Sequence, residues 1–176
     1  MRLEEMRREQ AALALKWWSG QTRRDFCKWP RNPFAWPLDA AQLDRWWLAC
    51  RDNGIQPLVA VDEQEKPFGQ LTAAFLPENR VHFGLILLAP SRRGQGLGTA
   101  MMLAACQWAA RRQARQATVD VYACNPGALH CYQKAGFAVT GRTAAAFVFE
   151  GESWELLHLA RSLEQLPKGD EDHADI

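Results

Sequence analysis

Arg93-Gly94-Gln95-Gly96-Leu97-Gly98-Thr99 stands between an apolar run, residues 81–88, and a helical stretch, residues 99–113. Three alternating glycines exceed what a tight strand-to-helix turn needs. They let the backbone take unusual dihedrals and let a ligand approach the unpaired amides of the helix N-terminus, a ready anion site. The turn therefore reads as a phosphate cradle. It is not a Walker A loop, because Gly98 is followed by Thr99 with no lysine. It is not a dinucleotide fingerprint either. That motif wants Gly or Ala three residues after its second glycine, and this chain has Thr99 or Met101 there.

Outward from the turn, the preceding 57–62, 68–76 and 81–88 read as three strands joined by short polar turns, an antiparallel meander. The near-continuous apolar run 81–88 suggests burial on both faces. On the far side, Leu97, Met101, Ala104, Ala105 and Trp108 form the apolar stripe of the helix. A strand over 117–123, a helix over 126–134 opened by Pro126 and closed by Gly136, and strands over 137–141, 144–149 and 153–160 follow. Glu150-Gly151-Glu152 forms a hairpin turn. At the N-terminus, residues 2–6 are a short strand or a helix start, and 9–18 are helical. A loop punctuated by Pro30, Pro33 and Pro37 leads to Asp39, the N-cap of a helix to about residue 51. Its Leu43, Trp46, Trp47 and Cys50 share a face, and Asn53-Gly54 ends it. The order specifies an α/β fold with a mixed sheet, one domain over residues 1–162 and a polar, acidic tail over 163–176.

Composition narrows the function. The 176 residues are 48% hydrophobic and 23% charged, with a net charge of +1. That suits one packed domain and gives no field to hold nucleic acid or an acidic membrane. No apolar run approaches the roughly 20 residues needed to cross a bilayer. The alternating charges of residues 1–10 lack the apolar core of a signal peptide. With five cysteines in no pairing pattern, this places the chain in the cytoplasm with reduced thiols. Cys124, His130 and Cys131 lack the second ligand pair a zinc site needs, so no metal is expected. Arg111, Arg112 and Arg115 read as a solvated helix end.

A second motif follows about thirty residues after the first. Asn125-Pro126-Gly127-Ala128 leads to Tyr132, Lys134 and Gly136-Phe137. Together the two segments resemble the GCN5-related N-acetyltransferase superfamily, in which Gln/Arg-x-x-Gly-x-Gly/Ala joins the fourth strand to the next helix. The resemblance covers roughly residues 55–160. Gly141-Arg142 through Trp154 looks most like the ribosomal-protein and polyamine acetyltransferase branch.

The resemblance implies a mostly antiparallel sheet splayed around an acetyl-CoA slot, with acetyl-CoA as cosubstrate. Arg93, Gly94, Gln95, Gly96, Leu97, Gly98 and Thr99 would hold the pyrophosphate. A splayed, bulged fourth strand, about Leu85 to Leu88, would supply the oxyanion-hole amides, with Leu87 and Leu88 among the cofactor contacts, and Asn125, Ala128 and Tyr132 would complete the cofactor site. Such chemistry needs an oxyanion hole of backbone amides, a base for the attacking amine and an acid for the departing thiolate. Tyr132 matches the family's frequent acid; a phenol with an ordinary pKa near 10 stays protonated at pH 7. His82 falls where some members carry a catalytic glutamate and could act as base, with Glu78 and Asp120 as weaker alternatives and a water relay as another route. Cys124 and Cys131 read as small buried residues rather than a thiol relay.

Six of the eight tryptophans precede residue 50, on the side where the resemblance places the acceptor. Trp29 and Trp36, on the proline-rich loop, are the candidate acceptor contacts. The leading function is an N-acetyltransferase acting on a primary amine of a small molecule or protein N-terminus, in a ternary complex, as monomer or homodimer. The alternative is a non-catalytic acyl-CoA sensor.

Overall fold

The computed structural model describes residues 1–166. Seven strands form one sheet in the order β1-β2-β3-β4-β5-β7-β6. They are β1 Arg2–Glu5, β2 Ile55–Val61, β3 Pro67–Leu76, β4 Arg80–Leu88, β5 Gln116–Tyr122, β6 Ala138–Phe149 and β7 Glu152–Ser162. Every pairing is antiparallel except β4 with β5. The fold is α/β with a mostly antiparallel open sheet flanked by helices on both faces.

The helices are α1 Leu13–Trp18, α2 Arg23–Cys27, α3 Ala40–Asp52, α4 Leu97–Ala110 and α5 Pro126–Lys134. Asp39 caps α3, its carboxylate accepting from the amide of Gln42 at 2.7 Å. Two expected elements are corrected here, and one helix is new. The first helical stretch is split into a 3-10 turn at Arg8–Ala12 and the six-residue α1. The short α2, capped by Thr22, was not foreseen, because five residues give no readable period. The two strands expected over 137–149 are one strand with two register shifts.

One irregularity positions the site. Opposite β3, the register of β4 jumps between Thr72↔Gly84 and Gln70↔Leu87, and Leu85 takes a φ of 45°. Two residues, Leu85 and Ile86, therefore oppose Leu71 alone, which is a β-bulge. An extra residue exchanges the faces of everything after it. Before the bulge, Val81 and Phe83 point into the core beneath α4; after it, Ile86 and Leu88 do, while Leu85 and Leu87 join the other cluster. The strand is not buried on both faces as its apolar run suggested. His82, Gly84, Ile86 and Leu88 are only half-buried, because they line a cleft.

The core is correspondingly double. Beneath α4 and α5 lie Met101, Met102, Ala105 and Cys106 with Phe68, Phe83, Val119 and Leu159. On the other face the N-terminal helices contribute Trp17, Trp18, Phe26, Leu43 and Trp46. Leu163 is buried in the first core and its amide donates to Arg115 O at 2.8 Å. Residues 167–176, most of the expected tail, lie outside the described residues.

Candidate active site

The parallel pairing of β4 and β5 runs from Arg80↔Gln116 to Phe83↔Val119 and stops. Beyond it the strands diverge, and a cleft of about 620 Å³ opens between them. Its floor is β4 from His82 to Leu88, one wall is the turn before α4, and the other is α5. Trp18, Trp29 and Pro30 also line it.

Gly96 caps α4 with a φ of 76°, a left-handed conformation that glycine adopts without strain. Ala100 is the first amide to close onto the turn, donating to Gly96 O at 3.1 Å. The amides of Leu97, Gly98 and Thr99 thus belong to the open N-terminal turn, where they and the helix dipole favour an anion. Gly98 serves a different purpose. A Cβ there would lie 3.0 Å from Cys131 Sγ and 3.1 Å from Leu88 Cδ1, so its absence lets α4, α5 and β4 approach. Arg93 reaches back along the cleft, donating to Leu88 O at 3.3 Å and to Gln21 Oε1 at 3.4 Å.

Of the residues expected to meet the cofactor, Leu87, Leu88, Arg93, Gly94, Gly96, Gly98, Thr99, Asn125, Ala128 and Tyr132 line the cleft. Gln95 and Leu97 do not. The Gln95 side chain folds back onto Ser91 O at 2.9 Å, and Leu97 packs on the α4 core, leaving their backbone as what they can offer. A cradle of open amides beside an arginine, continued by an apolar channel, suits a pyrophosphate joined to a long thin thioester arm.

Asn125 caps α5 by accepting from the amide of Ala128 at 3.3 Å. That helix carries Tyr132, which is buried, and burial holds its phenol well above the usual range. The phenol is therefore a proton donor over the whole physiological range. Burial also pushes up the Cys131 thiol beside it, so that sulfur is no ready nucleophile. Cys124 belongs to a separate cluster with Trp154, and among the described residues no group of three metal-ligating side chains forms.

His82 lies at the other side of the floor, paired with Thr118 across β4 and β5. Its Nδ1 is 3.0 Å from Thr118 Oγ1, while that hydroxyl donates to Val81 O at 3.3 Å. The single hydroxyl proton is thus spent, and the imidazole is the donor at Nδ1. This leaves Nε2 as the unprotonated nitrogen. Burial lowers the pKa of His82, opposed by the nearby charge of Asp120, so the ring is neutral at pH 7.

Trp29 lines the cleft, and its indole donates to Ile86 O at 3.1 Å, tying the proline-rich loop to the bulge. Its ring meets Trp18 edge-on at 4.5 Å. Trp36 lies elsewhere: it is 41% exposed, packs on Phe26 and does not line the cleft. Glu78 is in the exposed turn before β4, beside Arg80, and does not line the cleft. Sequence reasoning missed Thr118, whose alignment with His82 appears only in the register, and Arg31, which reaches Asp120 on β5.

Residues 20–137 match the model of the Acetyltransferase (GNAT) family. The spermidine N-acetyltransferase of Vibrio cholerae, solved with CoA and spermine, superposes with a TM-score of 0.77 at 18% identity, over 92% of this chain and 94% of that one. A chimera of that enzyme with hSSAT (K23-Y30) gives 0.76 at 18%, over 93% and 97%. A candidate phosphinothricin N-acetyltransferase gives 0.74 at 16%, over 93% and 98%.

Proposed function

This chain belongs to the GNAT acetyltransferase family, with acetyl-CoA as cosubstrate, and we propose that it acetylates the primary amine of a small molecule or protein N-terminus by direct attack within a ternary complex. The observation that carries this reading is the placement of His82 and Tyr132 on one cleft, one as a neutral base and the other as a protonated acid.

Open amides of the glycine turn, with Arg93, hold the pyrophosphate. The unpaired edge of β4 beyond Phe83 supplies the amides that polarise the thioester carbonyl. His82 Nε2 takes a proton from the acceptor amine as its nitrogen bonds to the carbonyl carbon. As the carbon–sulfur bond breaks, Tyr132 gives its proton to the departing thiolate. Trp29 and Trp18 offer apolar walls for the acceptor's stem. Trp36, outside the lining, is left without a part in this scheme. The five free thiols support a reducing compartment, the cytoplasm.

The test is to incubate the protein with acetyl-CoA and a panel of primary amines and to follow CoA release. Amine-dependent release that falls by two or more orders of magnitude in His82→Ala supports the scheme. Tight CoA binding with no transfer to any amine would replace it with a binding module.

A further inference from the structure

Asp120 is a carboxylate with a vacancy. Its side chain is only 8% exposed, yet it lines the cleft. Oδ1 accepts from His158 Nδ1 at 2.8 Å, and His158 is held in turn by Thr143, whose hydroxyl lies 2.9 Å from Nε2. Oδ2 is buried and makes no hydrogen bond among the described residues. Arg31 approaches it to 3.3 Å without the alignment a hydrogen bond needs, from a loop position with a φ of 54° and a side chain 73% exposed. A buried carboxylate oxygen left without a donor is costly, and Arg31, the cation that reaches it among the described residues, is one that solvent can readily draw away.

Asp120 also stands in a telling place. It is two residues beyond Thr118 on β5, about 6.6 Å of strand, on the face that carries the His82–Thr118 contact. Pairing with β4 has just ended, so nothing separates it from the cleft.

We propose that Asp120 Oδ2 anchors the acceptor as an alkylammonium ion, which displaces the guanidinium of Arg31. The bound ion releases one proton to solvent through the open cleft, and the neutral amine so formed gives its second proton to His82 as its nitrogen bonds to the thioester carbon. His158 and Thr143 position the carboxylate by occupying Oδ1 and leaving Oδ2 to the ligand. Arg31 is a placeholder that keeps the buried charge compensated between turnovers. The acceptor class is then a primary amine that is protonated at pH 7 on an aliphatic carbon, its stem lying against Trp29. This assignment rests on the acetyltransferase reading above and adds to it the residue that holds the amine.

The test uses butylammonium as probe, titrated calorimetrically into CoA-saturated protein, with butylamine acetylation measured in parallel. Asp120→Asn keeps the size and the His158 contact but removes the charge. It is expected to weaken butylammonium binding at least tenfold and leave CoA affinity unchanged. Arg31→Ala, which truncates a side chain 73% exposed, is expected to tighten butylammonium binding several-fold. An affinity indifferent to Asp120→Asn, a weaker one in Arg31→Ala, or no binding to either the parent or Arg31→Ala overturns the anchor. Binding that follows the expected pattern without any acetylation would overturn the enzymatic reading and leave the anchor standing. Acetylation with an amine KM unmoved by both variants would do the reverse.

Discussion

Thr118 stands opposite His82 in the one parallel pair of the sheet, and the hydroxyl of the first holds the imidazole of the second by Nδ1 at 3.0 Å. Replacing Thr118 with valine keeps the volume and removes the acceptor. A buried N–H is then unpaired, at about 1 kcal/mol or more, and the tautomer is no longer fixed. We expect kcat to fall about tenfold with acetyl-CoA affinity unchanged. Serine at the same position should restore most of the rate, which a purely packing role would not predict.

The pH dependence of kcat should report the same ring. Burial favours the neutral imidazole, so the base remains competent as pH falls through the ordinary histidine value of 6.5. Activity should be lost only below that value, through a single acid limb. A kcat profile whose acid limb is centred above 6.5 would exclude His82 as the base.

Tyr132→Phe removes the proton offered to the leaving thiolate and retains the ring that packs near Phe137. Since burial holds the phenol above its usual range, the parent should show no alkaline limb from this group below about pH 10. We expect the variant to lose between ten- and a hundredfold in kcat while binding CoA as the parent does. Undiminished turnover would remove Tyr132 from the mechanism.

Much of this was legible in the sequence, and for identifiable reasons. The glycine turn and α5 are local signals: glycines at fixed offsets, Asn125 and Pro126 at a helix start, Gly136 past its end. Helix α3 was legible through Asp39 and the spacing of Leu43, Trp46 and Cys50. The bulge at Leu85 was implied by resemblance alone, because Leu85, Ile86, Leu87 and Leu88 are chemically alike and a register shift leaves no mark among similar side chains. Asp120 and His158 were seen one at a time, thirty-eight residues apart, and only the β5–β7 register makes them neighbours. Trp36 shows the converse limit, since a proline-rich loop can turn an aromatic toward a cleft or away from it with the same sequence.

Gly98→Ala tests the close approach behind the cleft. The added methyl would crowd Cys131 Sγ and Leu88 Cδ1 at 3.0–3.1 Å. Overpacking of this kind costs roughly 1–3 kcal/mol, visible as a lower midpoint in thermal or urea unfolding. Cys131→Ala in the same chain should recover part of the loss, because it removes one of the two crowded atoms.

Asp39→Ala removes the carboxylate that accepts from the Gln42 amide. The expected loss is about 1 kcal/mol in urea unfolding, with catalysis unchanged, since the cap is remote from the cleft lining.

The exchange of faces at Leu85 has a consequence for how packing reaches the cleft. Ile86 and Leu88 answer to the cofactor half of the molecule, whereas Leu85 and Leu87 answer to the N-terminal helices. Neighbouring side chains on one strand are therefore packed into different cores. A change in the N-terminal helices is felt first through Leu85 and Leu87 and a change beneath α4 first through Ile86 and Leu88, so a single strand relays the packing of both halves to the cleft that all four residues line.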